Sequence, residues 1–192
     1  MKAHLTITIP VWLDFLFTCP LLAYRLLRYG YTYRKIPLGE GRFTIVEPRD
    51  YYWLNNFHWG LKGNNDRTYA IRLISTANYK VQYLSMHRAI MGNPKGLLVD
   101  HENRNRLDNR RANLRIATHS QNQFNKGKTR RKTTSQFVGV TFVKSIGRWR
   151  AQIMLDRKNI YLSSFDSEID AAKAYDAAAK KYHGEFARLN FS

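Results

Sequence analysis

The chain has 192 residues, enough for one large or two small domains. Its 44% hydrophobic and 14% aromatic content supports packed cores and excludes wholesale disorder. A formal net charge of +18 points to a polyanionic partner, with nucleic acid the first candidate. The alternative is a generally basic surface, but the distribution speaks against it. From Asn109 to Leu155 there is no Asp or Glu, whereas eleven Lys or Arg fall there. Cys19 is the single cysteine, which excludes an intrachain disulfide and a four-cysteine zinc clamp. It reads as a small apolar core residue.

Residues 1–28 are apolar at their middle. Pro10, Asp14 and Pro20 break the run, so it falls short of the roughly 20 residues that a membrane span needs. With one Lys ahead of it and no clear small-residue cleavage site, no secretion signal is expected. An amphipathic, interface-packing segment is favoured over membrane association. Residues 29–84 read as mixed α/β. Phe43–Val46 is strand-like, and Pro48 suits a first helical position with Asp50 to Leu54 following. Trp59, Tyr69–Leu73 and Lys80–Leu84 look like further strands, with a turn at Gly63-Asn64-Asn65-Asp66.

Residues 85–125 hold the chemistry. Ser85 can cap a short helix to Met91, and Asn93-Pro94-Lys95-Gly96 is a turn. Leu97, Leu98 and Val99 begin like a buried strand. Glu102–Arg111 reads as a loop, and Leu114–Ala117 can return as a second strand. Thr118 or Ser120 can then cap a helix with Asn122 in its first turn. That order can gather Asp100, His101, Asn113 and Asn122 at one point. A carboxylate and an amide oxygen are hard ligands that suit Mg²⁺ or Mn²⁺. A neutral imidazole can take a proton from water near pH 7. An ion with few protein ligands keeps positions open for a phosphate oxygen and a leaving group. The set fits metal-assisted phosphodiester hydrolysis. The same residues are also ordinary turn formers, so a hydrogen-bonded polar loop remains the alternative.

Residues 126–135 are a linker by composition, with Lys126, Lys128, Arg130, Arg131 and Lys132 in seven positions. They are read as a strap along a phosphate backbone, the other reading being a solvated tether. Residues 136–192 form a last domain. Phe137–Val143, Arg148–Leu155 and Asn159–Phe165 are strands of an antiparallel meander, with turns near Lys144–Gly147 and Asp156–Lys158. Ser167–His183 is a helix, with Ser167 as its cap and Gly184 at its end. Ala171, Ala174, Tyr175, Ala178 and Tyr182 share one face and are assigned to the core. Alternation puts Arg148 and Trp149 on opposite faces of a regular strand, so one of them packs on the helix or the strand is bulged.

Two stretches resemble known families. VDHENRNRLDNRRANLRIATHSQNQ, from Val99 to about Asn125, resembles the HNH endonucleases, especially the homing-type branch with V-D-H-x-N-x-x-x-x-D-N-R-x-x-N-L-R-x-x-T-x-x-x-N. That resemblance implies a ββα-metal (His-Me finger) core, with Asp100 and Asn122 as metal ligands. His101 would be the general base, and Asn113 the residue that fixes the loop. Many relatives have a second His where this chain has Asn122, so the likeness is to the H-N-N variant. His87-Arg88 resembles a pair ahead of the hairpin in that branch, with His87 as support rather than ligand. His119 receives no role from the pattern and is read as a helix-start surface or phosphate contact. Ile36–Glu40, Trp53–Trp59 and Tyr69-Ala70-Ile71-Arg72 loosely resemble the β-rich segment ahead of such cores.

The second resemblance is to the plant APETALA2/ethylene-response-factor domain. It rests on Val138-Gly139-Val140, Arg148 to Ile153, Tyr161 to Asp166, Ala171 to Ala178 and Leu189-Asn190-Phe191. It implies a sheet laid in the DNA major groove, with Arg148, Trp149, Arg150 and Tyr161 near contact positions. Thr141 and Met154 stand where plant relatives often have Arg, so their sequence preference is not carried over.

The expected protein is therefore α+β: a small β-rich segment, a ββα-metal nuclease core, then a three-stranded antiparallel sheet packed on one helix. Its expected function is Mg²⁺- or Mn²⁺-dependent nicking of duplex DNA by a homing-type enzyme, with one ion per site. The alternative is a sequence-specific transcription regulator with an inactive HNH remnant. No membrane partner is expected, a monomer is favoured, and the expected setting is the cytoplasm in a bacterial or phage-type context.

Overall fold

The computed structural model describes residues 10–64, 68–75, 81–125, 134–155 and 158–191. Over these the chain forms two compact units. One holds the chain up to Asn93 together with Asn105–Leu114. The other holds Pro94–Arg104 and the chain from Arg115 onward. The strands form four small sheets, two of two strands and two of three, interspersed with helices, which is an α+β arrangement. Of the sequence expectations, the basic residues of 126–133, Asn65-Asp66, Lys80 and Asp156-Arg157 lie outside the described residues.

In the first unit, helix α1 spans Val11–Tyr29 and runs through Pro20, which removes one backbone hydrogen bond. No described helix is long and apolar enough to cross a membrane. Its inner face is partly polar. Asp14 accepts from Arg34 Nη1 (2.6 Å) and Nη2 (3.1 Å), from the Tyr52 hydroxyl (2.8 Å) and from Thr18 (3.2 Å). Arg25 is buried over the Tyr33 ring. Phe15, Leu16, Phe17 and Leu27 face outward instead. Cys19 is exposed with them, which corrects its assignment to the core. Hydrophobicity alone misplaces it because the side of this helix turned from solvent mixes Asp14, Thr18 and Arg25 with Leu13 and Leu22.

Strands β1 (Arg34–Gly39) and β2 (Arg42–Val46) make an antiparallel hairpin whose inward residues Ile36, Leu38, Thr44 and Val46 are buried. Helix α2 (Pro48–Asn55) begins with Pro48 as expected and buries Asp50 and Leu54. Strands β3 (Gly60–Lys62), β4 (Tyr69–Ser75) and β5 (Val81–Ser85) form an antiparallel sheet in that order. Trp59, 2% exposed, donates its indole N–H to the Leu54 carbonyl at 2.8 Å. Helix α3 (Met86–Ile90) follows at once, with Ser85 at its N-cap but without a side-chain capping bond.

Onto this scaffold folds Asn105–Leu114. Ile45 N–H donates to the Leu107 carbonyl (2.9 Å), and Asn109 N–H donates to the Ile45 carbonyl (2.8 Å), so Asp108 bridges β2 in parallel. Thr44 Oγ1 donates to the Leu107 carbonyl at 2.7 Å and accepts from Asn109 Nδ2 at 2.8 Å. Arg111 grips Asp50 with Nε (2.8 Å) and Nη2 (2.9 Å), and Ala112 N–H donates to Glu47 (3.0 Å). The Asp50–Arg111 pair thus fastens the loop to α2.

The second unit contains β6 (Leu98–His101) and α4 (His119–Phe124), which pack together. Strand β7 (Leu114–Ala117) pairs with β6, so the strand–loop–strand–helix order is as read from the sequence. Thr118 caps α4 in a capping box: its hydroxyl accepts from Gln121 N–H (3.2 Å), and the Gln121 side chain accepts from Thr118 N–H (2.8 Å).

Strands β8 (Val140–Val143), β9 (Arg148–Leu155) and β10 (Lys158–Phe165) form an antiparallel sheet in the order β10-β9-β8, backed by helix α5 (Glu168–His183). The first strand starts at Val140, not Phe137. Val138 N–H and carbonyl instead bond Asn190, whose backbone and side-chain N–H groups in turn donate to Asp176 at 2.8–3.0 Å. Ser167 accepts from Asp170 N–H, as a cap should. The buried face of α5 is Ala171, Ala172, Tyr175, Asp176, Ala179 and His183, with Ala174 and Ala178 at its flanks. Tyr182 is exposed, which corrects its place in the core. Buried Asp176, which accepts from Asn190, and buried His183, whose Nε2 meets the Met154 carbonyl, take inward positions that an all-apolar count misses. Gly139 has φ +74°, and a β-carbon there would meet the Tyr175 ring and the Gln152 carbonyl, the latter at 2.7 Å.

Burial alone would raise the Asp50 carboxyl pKa, but the hydrogen bonds from Arg111 and Trp53 and the Arg111 charge hold it below the usual value. A depressed carboxylate stabilises the fold above its unfolded pKa of about 3.9, and that stability is lost as pH falls through the folded value. Asp50→Asn is expected to cost about 1–3 kcal/mol at pH 7, discounted because Arg111 is partly exposed. It should also make the acid limb of stability shallower below about pH 4, measured by urea unfolding from pH 3 to 7. Gly139→Ala should cost on the order of 2–4 kcal/mol in thermal unfolding, from left-handed strain plus overpacking on Tyr175.

Candidate active site and nucleic-acid interface

The sequence-predicted site residues divide between the two units. Asn113 belongs to the first, where it ends a single 3-10 turn, Arg111–Asn113. Its Nδ2 donates to the Asp108 carbonyl at 2.8 Å, and its N–H donates to the Arg110 carbonyl at 2.9 Å. It closes the Asp108–Asn113 loop on itself. Asp108 is held by Arg110 through Nε (2.7 Å) and Nη2 (2.6 Å), and the Arg110 guanidinium lies 3.4 Å from the Tyr31 ring centroid. His87 is buried in the same unit, its ring 5.3 Å from that of Tyr69.

Asp100, His101 and Asn122 belong to the second unit. Asp100 is 8% exposed and His101 4% exposed, at the end of β6. The Asp100 carboxylate is asymmetrically dressed. Its Oδ2 accepts from Arg115 Nε (3.0 Å), Arg115 Nη2 (2.9 Å) and Asn125 Nδ2 (2.9 Å). No donor among the described residues reaches Oδ1. Asn125 is itself buried and also donates to the His101 carbonyl at 2.9 Å, which tethers the loop after β6. Arg104 N–H returns to the same carbonyl at 2.9 Å. Asn122, on α4, is half-buried, and its side-chain amide bonds no described residue. His119 is exposed at the first turn of that helix.

Arg115 and Asn125 carry no signal in an acid–base reading of the sequence, yet they orient its one buried acid. Arg115 also donates to the Glu185 carbonyl at 2.5 Å and stacks on Phe186, 4.1 Å from the ring centroid. Phe124 of α4 stacks on His183, with centroids 3.7 Å apart and rings within 6° of parallel. The chemistry of the donors can be compared with the ion expected. No described group of three His, Cys, Asp or Glu side chains could hold a metal, so a carboxylate-rich or soft-ligand cage is not what these residues build. One carboxylate oxygen and one amide oxygen are hard donors that suit Mg²⁺ or Mn²⁺ completed by water and phosphate.

The exposed face of the C-terminal sheet settles which strand residues share a side. On β9, Arg148, Arg150 and Met154 are exposed while Ala151 and Ile153 are buried. Trp149 packs toward the helix with Phe142, Phe137 and the Val140–Ala151–Ala171–Ala172 cluster. Trp149 is therefore the residue that packs, and it does not share the face of Arg148 and Arg150. The bulge lies in β10, where the register shifts between Tyr161 and Ser163. Tyr161 pairs Gln152, and Ser164 pairs Arg150, so both lie on the outer face, joined hydroxyl to hydroxyl at 3.2 Å. Arg148 is bound to Asp166 at 2.8 and 3.1 Å, and the Arg150 guanidinium lies 5.9 Å from the Tyr161 ring centroid.

Asp100 and His101 thus end a strand packed with the helix that bears Asn122, and a three-stranded sheet on one helix follows in the chain. Residues 91–124 match the family model described as HNH endonuclease, and residues 135–185 match that described as AP2 domain. A protein of Acanthamoeba polyphaga mimivirus, named as an uncharacterized HNH endonuclease, is 28% identical over 162 residues, covering 79% of this chain and 76% of that protein. The APETALA2-like protein 2 of Oryza sativa subsp. indica is 46% identical over 62 residues, or 32% of this chain. An AP2-like ethylene-responsive transcription factor of Arabidopsis thaliana is 46% identical over 61 residues. The matches to the plant proteins span only 14% and 13% of those proteins' length.

Proposed function

We propose that this protein is a divalent-metal-dependent DNA endonuclease of the homing type, which grips duplex DNA with its C-terminal sheet and nicks one strand. The HNH match and the mimivirus relative support a nuclease, and the AP2 match supports DNA binding. The observation that carries the reading is the half-dressed carboxylate of Asp100. One oxygen takes three N–H donors and the other takes none from the described residues, on the strand that packs with α4, the helix bearing Asn122.

In this mechanism Asp100 and Asn122 would hold the ion through a carboxylate and an amide oxygen. A bound Mg²⁺ or Mn²⁺ supplies positive charge at the scissile phosphate and the leaving oxygen. His101 takes the proton of the attacking water. Asn113 keeps the Asp108–Asn113 loop closed through its bond to the Asp108 carbonyl. Arg148, Arg150 and Tyr161 present a basic and aromatic surface to the duplex, with Lys126, Lys128, Arg130, Arg131 and Lys132 as a strap on phosphates. One such site per chain produces a nick per encounter, and a second subunit or a second visit would be needed for a double-strand break.

The burial of His101 favours the rival reading, a duplex-binding regulator that no longer cleaves. Plasmid nicking with Mg²⁺, with EDTA and with His101→Ala separates the two. The nuclease reading expects EDTA to abolish nicking and His101→Ala to lose at least ~10²-fold in rate with duplex affinity retained. Duplex binding without any nicking would establish the regulator instead. For the sheet, Arg150→Ala is expected to weaken duplex binding and to reduce the slope of log K against log salt by about 0.9. Trp149→Ala should chiefly lower the melting temperature, because it removes core packing.

A further inference from the structure

Arg115 joins two parts of the second unit that the sequence presents as separate domains. Its guanidinium takes Asp100 Oδ2 with two N–H groups, donates a third to the Glu185 carbonyl, and lies 4.1 Å from the ring centroid of Phe186 just beyond α5. The side chain is 15% exposed and the Asp100 side chain 10% exposed, so the pair is largely out of water and bulk screening reaches it little. Phe186 is 3% exposed and follows directly on Glu185, where the AP2 match ends. Planar, three-point fixation of this kind removes the rotational freedom of both side chains, which an ammonium on a flexible stem does not. Asn125 adds a third donor to the same oxygen.

We propose that Arg115 is a positioning residue for the metal site and that the C-terminal domain, through Glu185 and Phe186, holds Arg115 in place. On this view the AP2 domain is part of the wall of the nuclease site and not only a tether to DNA. By saturating Oδ2, Arg115 and Asn125 turn Asp100 so that Oδ1 is the oxygen offered to the ion. The inference rests on the proposed metal-dependent nuclease activity. It also has a physical opposite: a cation this close to a metal ligand could instead compete with the ion for the carboxylate. The two predict opposite signs.

The test uses the full chain and Mn²⁺ as the probe. Mn²⁺ binding is followed by electron paramagnetic resonance without DNA, and the Mn²⁺ concentration for half-maximal plasmid nicking is measured alongside. Arg115→Lys keeps the charge but loses the planar fork. It is expected to weaken Mn²⁺ binding and raise the half-maximal concentration by about tenfold or more, as for other residues that orient a metal ligand. Duplex affinity in EDTA should stay near wild type, and the melting temperature should fall but leave the chain folded at the assay temperature. Phe186→Leu keeps an apolar contact but removes the ring beneath the guanidinium, and should shift both metal readouts two- to fivefold in the same direction. Unchanged or tighter Mn²⁺ binding by Arg115→Lys overturns the positioning role while leaving the nuclease reading intact. Unchanged metal readouts in Phe186→Leu overturn the part assigned to the C-terminal domain. Should Arg115→Lys fail to fold, Asn125→Ala removes the third donor on the same oxygen and is expected to weaken Mn²⁺ binding severalfold. A wild-type chain that neither binds Mn²⁺ nor nicks overturns the nuclease reading together with this one.

Discussion

A buried carboxylate must be neutralised where it stands, and Asp100 meets that requirement on one side only. Three N–H donors converge on Oδ2, two from a guanidinium and one from a buried carboxamide. The result is a carboxylate fixed through one oxygen, while no donor among the described residues bonds the other. Much of the second unit is arranged to keep that geometry. β7 supplies Arg115, the end of α4 supplies Asn125, and the turn after α5 supplies the carbonyl and ring that hold Arg115. The stack of Phe124 on His183 joins α4 to α5 in the same unit.

The loop between the two strands of the HNH match is solved differently. Asn105–Leu114 carries many polar groups and little apolar surface, so its order comes from hydrogen bonds to elements far away in sequence. Thr44 and Ile45 of β2 provide backbone and hydroxyl partners, and Asp50 and Glu47 provide carboxylates. This accounts for the β-rich segment ahead of the motif. Whatever else it does, it is the template on which the Asp108–Asn113 loop is cast. The D-N-R triplet of the motif is structural here: Asp108 and Arg110 pair with each other, and Asn109, fully buried, is bonded to Thr44. Losing a partner in such a dry network costs more than the bond itself, because the group left behind is desolvated and unmatched.

Most elements could be read from the chain because local rules agree there. Pro48 starts its helix, Ser167 and Gly184 bracket α5, and Thr118 caps α4. β9 occupies the residues that alternation assigns to it. Residue type places Cys19 in the core and helical spacing places Tyr182 there, and the structure exposes both. Strand parity leaves open which of Arg148 and Trp149 packs, and it is Trp149. On α1, Asp14 is paired with Arg34 while Phe15, Leu16 and Phe17 face out. Asp176 and His183 take inward positions on α5 that an apolar stripe leaves vacant. The extra residue Leu162 in β10 brings Tyr161 and Ser164, three apart, to one face of the sheet.

Sequence alone determined the order of elements, the basic balance and the identity of the residues able to do chemistry, because caps, periodicity and charge act over a few neighbours. It also showed which two families the chain resembles. Only the tertiary structure decided that Arg115 and Asn125 share one oxygen of Asp100, that the loop to Asn113 rests on β2 and α2, and that Trp149 is core. Those outcomes depend on groups fifteen to seventy residues apart meeting in space, and no local pattern records such a meeting.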